Sequence, residues 1–332
     1  MTRCAVVGAG AWGTVLADVL ARNGHDVRLW ALEEDVAASV NNGCTNERFL
    51  EGFALSPTLR ATTSLPDALR GASLVCLATP SQHLRGVLAS AASALASDAI
   101  LCVASKGIER DTLVLMSDVV EDEAKGHPIV ALSGPSFAAE VAAQQPAAVV
   151  AASPDVVAAE VVQSLFSNSY FRVYTHDDLI GVELGGALKN VMAVATGIVE
   201  GVGLGFNSRA AIITRGLAEM TRLGTALGAQ SVTFAGLAGV GDLVLTCTGS
   251  LSRNHAVGVA VGQGATLDEA LRGKHTVAEG VATTRSALAL AEREHVEMPI
   301  VATVHRILFD GYAAREAIND LMSRELRSER DA

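Results

Sequence analysis

A glycine-rich turn near the start of the chain is the feature that most constrains its fold. A short apolar run, residues 4–8, leads directly into Gly8-Ala9-Gly10-Ala11-Trp12-Gly13. An apolar-periodic segment over residues 14–22 predicts a helix, and residues 26–30 predict the next strand. A Gly-x-Gly-x-x-Gly turn between a strand and a helix is typical of dinucleotide-binding βαβ units, where the pyrophosphate lies at the helix N-terminus. We therefore expect the three glycines to bind a dinucleotide.

Strand and helix patterns alternate along the first half of the chain. The further predicted strands cover residues 74–78, 100–104, 129–132, 147–151 and 171–174. Alternation of this kind predicts a mainly parallel sheet that is covered by helices on both faces. The strand signal ends near residue 178, and helical patterns follow. We predict an α/β, Rossmann-like domain over residues 1–178 and an all-α domain over residues 179–332.

Composition narrows the classes of partner. The net charge of −11 argues against nucleic acid, although a locally positive pocket can still bind a small anion. The five cysteines form no CxxC pair and the eight histidines no HExxH spacing, which predicts reduced thiols and no metal. No apolar run is long enough to span a bilayer, and residues 4–8 read as a core strand rather than a leader. We expect a cytoplasmic protein without membrane insertion, and the helical domain is compatible with a homodimer.

A lysine inside an apolar helix is the main candidate for chemistry. Residues 182–197 are apolar nearly all round, which predicts a buried helix, yet Lys189 lies in the middle of this segment. Gly185 and Gly186 lie one turn before it and suggest that another group approaches the helix backbone closely. A desolvated lysine holds its proton less tightly and can act as an acid or base near neutral pH. The alternative interpretation is a lysine that extends its ammonium group to the helix end.

Other polar side chains occur where a substrate can bind. Lys106 and Ser136 follow predicted strand ends, and such sheets bind ligands at the carboxyl ends of their strands. Asp242 lies in an apolar, glycine-rich run and needs a hydrogen-bonding partner if it is buried. Arg253 and Asn254 stand at a predicted helix start, where they suit a phosphate. Ordinary loop or surface positions remain the alternatives for Lys106 and Arg253.

The residues after Trp30 bear on the choice of cofactor. Acidic side chains at this place favour NAD(H), and a basic one accommodates the 2′-phosphate of NADP(H). The chain has Ala31-Leu32-Glu33-Glu34-Asp35, with no basic residue. The same acids also suit the first turn of a helix. The pattern favours NAD(H) and leaves NADP(H) open.

Six motifs in a fixed order carry a resemblance to a known family. They are Gly8-Ala9-Gly10-Ala11-Trp12-Gly13, Ser105-Lys106-Gly107, Ser133-Gly134-Pro135-Ser136-Phe137, Leu184-Gly185-Gly186-Ala187-Leu188-Lys189-Asn190, Gly239-Val240-Gly241-Asp242-Leu243 and Ser252-Arg253-Asn254. With them, residues 4–316 resemble bacterial NAD(P)-dependent glycerol-3-phosphate dehydrogenases. The resemblance implies reversible hydride transfer between NAD(P)H and dihydroxyacetone phosphate, giving sn-glycerol 3-phosphate for phospholipid synthesis.

The resemblance also implies a role for each matched residue. Lys189 would exchange the proton at C2 of the substrate, with Lys106 and Asp242 acting beside it. The substrate positions are Lys106, Gly134, Ser136, Lys189, Asn190, Asp242, Thr246, Ser252, Arg253 and Asn254. The cofactor positions are Gly8, Gly10, Ala11, Trp12, Gly13, Leu32, Lys106, Ala138, Arg253, Val277 and Glu279. Ala11 stands where relatives often carry serine, which removes one hydroxyl near the pyrophosphate. Leu32 stands where relatives often carry histidine or arginine, which weakens the case for NADPH.

Two other functions fit parts of the pattern. A β-hydroxyacid-type dehydrogenase also combines this nucleotide fold with a helix-borne lysine, but it would use a carboxylate substrate. The motifs around Lys106 and Arg253 argue against that substrate. A non-catalytic sensor of NAD(P)H needs no lysine in an apolar helix, so Lys189 disfavours it.

Overall fold

The first half of the chain forms one eight-stranded sheet. The computed structural model describes residues 1–272, 278–326 and 328–329. Strands β1 to β8 are Arg3–Val7, Asp26–Trp30, Arg60–Thr62, Leu74–Leu77, Ile100–Val103, Ile129–Ser133, Ala147–Ala152 and Phe171–His176. Their order in the sheet is β3-β2-β1-β4-β5-β6-β7-β8, and every neighbouring pair is parallel except β6 with β7. The order of β1 to β6 is that of dinucleotide-binding sheets, so the predicted Rossmann-like α/β architecture is confirmed.

Helices cover the sheet and then make up the rest of the described chain. Helices α1 to α7 are Ala11–Arg22, Glu34–Gly43, Leu65–Leu69, Leu84–Ala89, Met116–Glu123, Ala138–Ala142 and Val156–Phe166. Helices α8 to α15 are Leu179–Gly201, Phe206–Ala226, Asp242–Thr248, Arg253–Gly262, Leu267–Leu271, Glu279–Arg293, Pro299–Phe309 and Ala314–Met322. After His176 the described residues contain no strand, so the predicted helical second part is confirmed. A boundary at residue 178 between two domains stays a prediction.

Two local elements differ from what the pattern predicts. The alanine-rich stretch 83–96 favours a single helix, but α4 ends at Ala89 and a separate 3₁₀ turn covers Ala92–Ala94. Strand β3 was not predicted, because its three residues include a single buried side chain, Ala61, and show no alternation. It pairs with β2 at the edge of the sheet, so neighbouring strands rather than its own sequence determine it.

Helix α8 is the core of the second part. Every residue from Gly181 to Val199 is buried, and Asp178 caps the helix by accepting a hydrogen bond from the Gly181 N–H at 2.9 Å. The helix is long and apolar enough to cross a membrane, but its most apolar stretch is entirely enclosed by the protein. It therefore serves as the centre around which the other helices pack.

Glycines bring α8 and α11 into backbone contact. Gly197 and Gly201 of α8 lie against Gly258 and Gly262 of α11. A Cβ on Gly258 would overlap the carbonyl oxygen of Val194. Because backbone atoms meet without intervening side chains, the N-terminus of α11 is held at a fixed position relative to α8.

Candidate active site

Asp242 joins two lysines next to the carboxyl ends of the central strands. Its Oδ2 accepts a hydrogen bond from Lys106 Nζ at 2.7 Å, and its Oδ1 accepts one from Lys189 Nζ at 2.5 Å. Lys106 follows β5, Lys189 lies in the middle of α8, and Asp242 begins α10. The Asp242 side chain is 1% exposed, and those of Lys189 and Lys106 are 9% and 18% exposed. The fold thus brings together the three residues that the sequence suggests for catalysis.

Burial and the neighbouring charges change the pKa values of Lys189 and Asp242. Burial, reinforced by the neighbouring Lys106 and partly opposed by Asp242, lowers the pKa of Lys189 to about 8. Burial alone would raise the pKa of Asp242, but the two ammonium groups outweigh burial and hold it below its ordinary value. Asp242 is therefore ionised at neutral pH, while Lys189 can gain and lose a proton there.

Thr246 orients the Lys189 ammonium group. Its Oγ1 accepts a hydrogen bond from Lys189 Nζ at 2.9 Å and donates one to the Asp242 carbonyl oxygen, one turn earlier on α10, at 2.7 Å. Asp242 and Thr246 thus engage two of the three hydrogens that a protonated lysine can donate. The third is available for an oxygen atom of a substrate.

Gly185 and Gly186 let two other parts of the protein reach the α8 backbone. A Cβ on Gly185 would overlap the carbonyl oxygen of Ala238, and one on Gly186 would lie 2.7 Å from Ser133 Oγ and 3.4 Å from Lys106 Cδ. The groups that approach the helix backbone at the paired glycines therefore belong to the protein itself. This close approach brings the loop before α10 and the end of β6 against the helix turn that precedes Lys189.

The loop after β6 contributes a carbonyl group to the cluster. The Gly134 carbonyl oxygen lies 3.5 Å from Lys106 Nζ and accepts a hydrogen bond from Ser136 Oγ at 3.0 Å. Gly134 has a φ of +141°, and a Cβ there would lie 2.9 Å from Val149 Cα. Only glycine fits this backbone conformation. In this conformation the Gly134 carbonyl group faces Lys106.

The N-terminus of α11 carries the cationic side chain of Arg253. Ser252 caps this helix by accepting a hydrogen bond from the His255 N–H at 3.2 Å. Arg253, the first residue of the helix, is exposed and makes no ion pair or side-chain hydrogen bond within the described part of the chain. A helix N-terminus with a free guanidinium group suits a phosphate.

Two asparagines connect α11 to α8. Asn254 Nδ2 donates to Asn190 Oδ1 at 2.9 Å, and Asn190 Nδ2 donates to the Gly186 carbonyl oxygen at 3.3 Å. The Gly280 N–H in turn donates to Asn254 Oδ1 at 3.0 Å. Arg253 is therefore one residue away from a hydrogen-bonded chain that ends beside Lys189. All ten predicted substrate positions lie in or next to this cluster, and their roles toward a substrate stay predictions.

The glycine-rich turn lies beside the cluster and fits a dinucleotide. A Cβ on Gly8 would lie 2.9 Å from the Ala78 carbonyl carbon, and one on Gly13 would overlap the Gly8 carbonyl oxygen, whereas one on Gly10 would have no neighbour within 4 Å. The first and third glycines thus serve the fold, and the second leaves room for a bound group. Helix α1 begins at Ala11 without a side-chain cap, so the N–H groups of its first turn are free for an anion.

Trp12 and Ala138 lie close to the turn. The Trp12 ring contacts the Phe171 ring with centroids 6.3 Å apart, and its Nε1 is buried without a hydrogen-bond partner in the described residues. Ala138 begins α6 and packs partly buried against the same core. An orphaned buried donor beside a helix N-terminus is a further sign that a ligand completes this site.

Glu279 links the helical part to the sheet. Its Oε1 accepts a hydrogen bond from the Ser81 N–H at 3.1 Å, and its Oε2 accepts one from Ser81 Oγ at 2.7 Å. Burial raises the pKa of Glu279 in spite of these bonds and of the nearby Arg253. The predicted cofactor contact of Glu279 is thus at the β4 end of the sheet, and that of Val277 lies outside the described residues.

The segment after β2, which would face the adenosine ribose, contacts an arginine that the sequence did not suggest. Leu32 is 74% exposed after β2. Arg48, from the loop after α2, forms ion pairs with Glu33 at 3.9 Å and with Asp35 at 3.3 Å. A basic side chain therefore does lie near the end of β2, but it comes from a distant loop and is paired with two carboxylates. No signal within residues 31–35 points to it.

Gly10 provides a test of the turn. Replacing Gly10 with alanine is expected to leave thermal stability nearly unchanged, because a Cβ there meets no protein atom within 4 Å. The same methyl group occupies the space above the α1 N-terminus, so we expect dinucleotide affinity to fall about tenfold or more. Calorimetric titration with NADH and thermal unfolding measure the two effects. Unchanged affinity would place the dinucleotide elsewhere.

Fold and site together define the class of the protein. A dinucleotide-binding turn adjoins a buried lysine with a pKa of about 8, and an arginine that makes no ion pair within the described residues lies at a nearby helix start. Among the described residues, no cluster of three histidine, cysteine, aspartate or glutamate side chains is arranged to hold a metal ion. The chain is an NAD(P)-dependent dehydrogenase.

Comparison with known proteins identifies the family. The chain belongs to the NAD-dependent glycerol-3-phosphate dehydrogenase family, whose N-terminal model matches residues 3–159 and whose C-terminal model matches residues 178–319. It is 54% identical to glycerol-3-phosphate dehydrogenase (NAD(P)+) of Geobacter sulfurreducens over 99% of both chains. It is 51% identical to the Citrifermentans bemidjiense enzyme of the same name over 98% of both chains. The crystal structure of glycerol-3-phosphate dehydrogenase from Coxiella burnetii has a TM-score of 0.94 at 40% identity, covering 97% of this chain and 99% of that one. The resemblance inferred from the motifs is confirmed.

Proposed function

We propose that this protein reversibly reduces dihydroxyacetone phosphate to sn-glycerol 3-phosphate with NADH or NADPH, and so supplies glycerophospholipid synthesis. The observation that carries the proposal is the pair of lysines on Asp242 beside the glycine-rich turn, of which Lys189 is buried and Lys106 half-buried. The bound reduced nicotinamide supplies a hydride. The residues of the chain have to bind the phosphate, hold the ketone and provide a proton.

Arg253 and the N-terminus of α11 are proposed to bind the substrate phosphate. The guanidinium group makes no hydrogen bond or ion pair within the described chain, and the helix N-terminus supplies N–H groups for an anion. The asparagine chain and the glycine contacts hold α11 against α8. A phosphate bound at Arg253 therefore places the rest of a three-carbon substrate near Lys189.

Lys189 is proposed to donate the proton to the ketone oxygen and to remove it in the reverse reaction. Two of its three hydrogens are directed to Asp242 and Thr246, which leaves one for the substrate. Lys106 stabilises the developing negative charge on that oxygen, and Asp242 prevents the two ammonium groups from repelling each other. Ser136 and the Gly134 loop would border the substrate on the side of β6.

Family membership and the site favour this reaction over the alternatives. A hydroxyacid substrate would offer a carboxylate, whereas Arg253 and a helix N-terminus suit a phosphate dianion better. A sensor would need no buried lysine with a pKa of about 8. We also propose a cytoplasmic location, because all five cysteines are free thiols.

The rate is expected to depend on pH in opposite directions for the two reactions. Ketone reduction needs protonated Lys189, so its rate should fall as pH rises through about 8, the pKa of this lysine. Alcohol oxidation needs the neutral amine, so its rate should fall as pH drops through the same range. Asp242 raises the pKa of Lys189, so Asp242→Asn should move both limbs to lower pH. Rate profiles in both directions measure this, with the exposed Asp67→Asn as control, and unmoved limbs would contradict it.

Arg253 tests the substrate assignment. Arg253→Ala is expected to raise the KM for dihydroxyacetone phosphate at least about thirtyfold, because charge-assisted hydrogen bonds to a phosphate contribute about 2 kcal/mol or more. The KM for NADH should change much less. Arg70→Ala, which removes an exposed arginine paired with Asp67, is the matched control. An unchanged KM for the phosphate substrate would argue against this role.

A further inference from the structure

The loop that carries Arg48 is pinned to the glycine-rich turn. Asn46 is fully buried, and its Nδ2 donates to the Ala9 carbonyl oxygen at 2.9 Å and to Thr14 Oγ1 at 2.8 Å. The Leu50 N–H donates back to the Asn46 carbonyl oxygen at 2.8 Å, which closes a tight turn around Arg48. The position of Arg48 is therefore determined by the same segment that would hold the dinucleotide.

Arg48 is held between two carboxylates at the end of β2. Its Nη2 lies 3.9 Å from Glu33 Oε1, and its Nη1 lies 3.3 Å from Asp35 Oδ2. The Glu33 side chain is 27% exposed, against 64% for Asp35. Glu33 is also the residue just before α2, at the place in the βαβ unit where an acid contacts the adenosine ribose.

We propose that Glu33, with Arg48 paired to Glu33 and Asp35, makes the protein prefer NADH to NADPH. The proposal rests on the proposed function, because it concerns the cofactor of that reaction. Residues 33–35 carry three negative charges, and Arg48 neutralises one of them. A ribose 2′-hydroxyl can donate a hydrogen bond to Glu33, whereas a 2′-phosphate meets a net negative surface and an arginine that is already paired.

The pairing predicts how individual substitutions change the preference. Glu33→Gln removes both the acceptor for the 2′-hydroxyl and one partner of Arg48, so it should shift preference toward NADPH most strongly. Asp35→Asn removes only the other partner of Arg48 and leaves the acceptor for the 2′-hydroxyl in place. Because Asp35 is largely exposed, its effect should be smaller and in the same direction. Glu34→Gln removes the same charge from a residue that makes no ion pair in the described chain, and it is the matched control.

The test is calorimetric titration of the purified protein with NADH and with NADPH, without ketone. Wild type should bind NADH at least about tenfold more tightly, and Glu33→Gln should reduce the ratio of the two Kd values about tenfold, against less than about threefold for Glu34→Gln. Adding Arg48→Gln to Glu33→Gln should cancel the gain in NADPH affinity, because the gain depends on a released arginine.

Two results would overturn the proposal. The first is that the wild-type protein binds NADPH as tightly as NADH or more tightly. The other is Glu33→Gln with no larger effect than Glu34→Gln. Because binding is measured without ketone, a clear NADH preference in a protein that does not reduce dihydroxyacetone phosphate would refute the proposed reaction and leave the proposed cofactor preference standing.

Discussion

Replacing Lys189 with methionine is expected to lower kcat for ketone reduction by a factor of about 10² to 10⁴, the usual contribution of a positioned acid or base. Methionine fills much of the buried space that the Lys189 side chain occupies, but it lacks the ammonium group and its exchangeable protons. Asp242 keeps Lys106 as an ion-pair partner at 2.7 Å, so the cluster does not leave an isolated buried charge. NADH affinity should remain close to that of the wild type, because the glycine-rich turn is unaffected.

Steady-state kinetics and calorimetric titration check the Lys189 prediction. Lys125→Met is the matched control, since Lys125 is an exposed lysine after α5. Loss of turnover with retained NADH binding in the Lys189 variant, and normal turnover in the Lys125 variant, is the expected result. Turnover of the Lys189 variant within about threefold of wild type would remove Lys189 from the proton transfer.

The second large effect is on stability, at Gly258. Alanine there would place a methyl group on the Val194 carbonyl oxygen and 2.9 Å from the Ile198 nitrogen, both of which are backbone atoms of α8. No side chain can rotate away, so the two helices have to separate. We expect the free energy of unfolding to fall by about 3 kcal/mol, and the KM for the ketone to rise because Arg253 moves with α11.

Thermal and urea unfolding measure the Gly258 effect. Gly86→Ala is the matched control, because Gly86 lies in α4 and a Cβ there meets no atom within 4 Å. That substitution should be neutral or raise stability by up to about 1 kcal/mol. If Gly258→Ala unfolded with the same urea midpoint as the wild type, the helices would be able to separate at little cost in free energy.

The parts of the site that the sequence predicted share one property: each can be recognised from residues that are neighbours along the chain. A strand, a glycine turn and a helix in succession predict the dinucleotide unit, and an apolar helix around Lys189 predicts its burial. The isolated aspartate in an apolar run, Asp242, correctly indicated that a partner was needed, and the structure supplies two. Such inferences depend on residues that are neighbours along the chain.

The parts that the sequence did not predict depend on contacts between distant segments. Arg48 meets Glu33 because the buried Asn46 fastens its loop to the turn, and nothing near residue 33 signals that contact. The glycines at 197 and 258 were not suggested as a packing surface, because each becomes significant only against the other helix. Short elements such as β3 are determined by the strands beside them rather than by their own pattern.

The most direct test of the proposed function is NADH oxidation by the purified protein in the presence of dihydroxyacetone phosphate, compared with dihydroxyacetone and with no ketone. The predicted result is rapid oxidation with the phosphorylated ketone alone, with sn-glycerol 3-phosphate as the product. Bound NADH that is not oxidised with this ketone at any pH between about 6 and 9, on either side of the Lys189 pKa, would contradict the account.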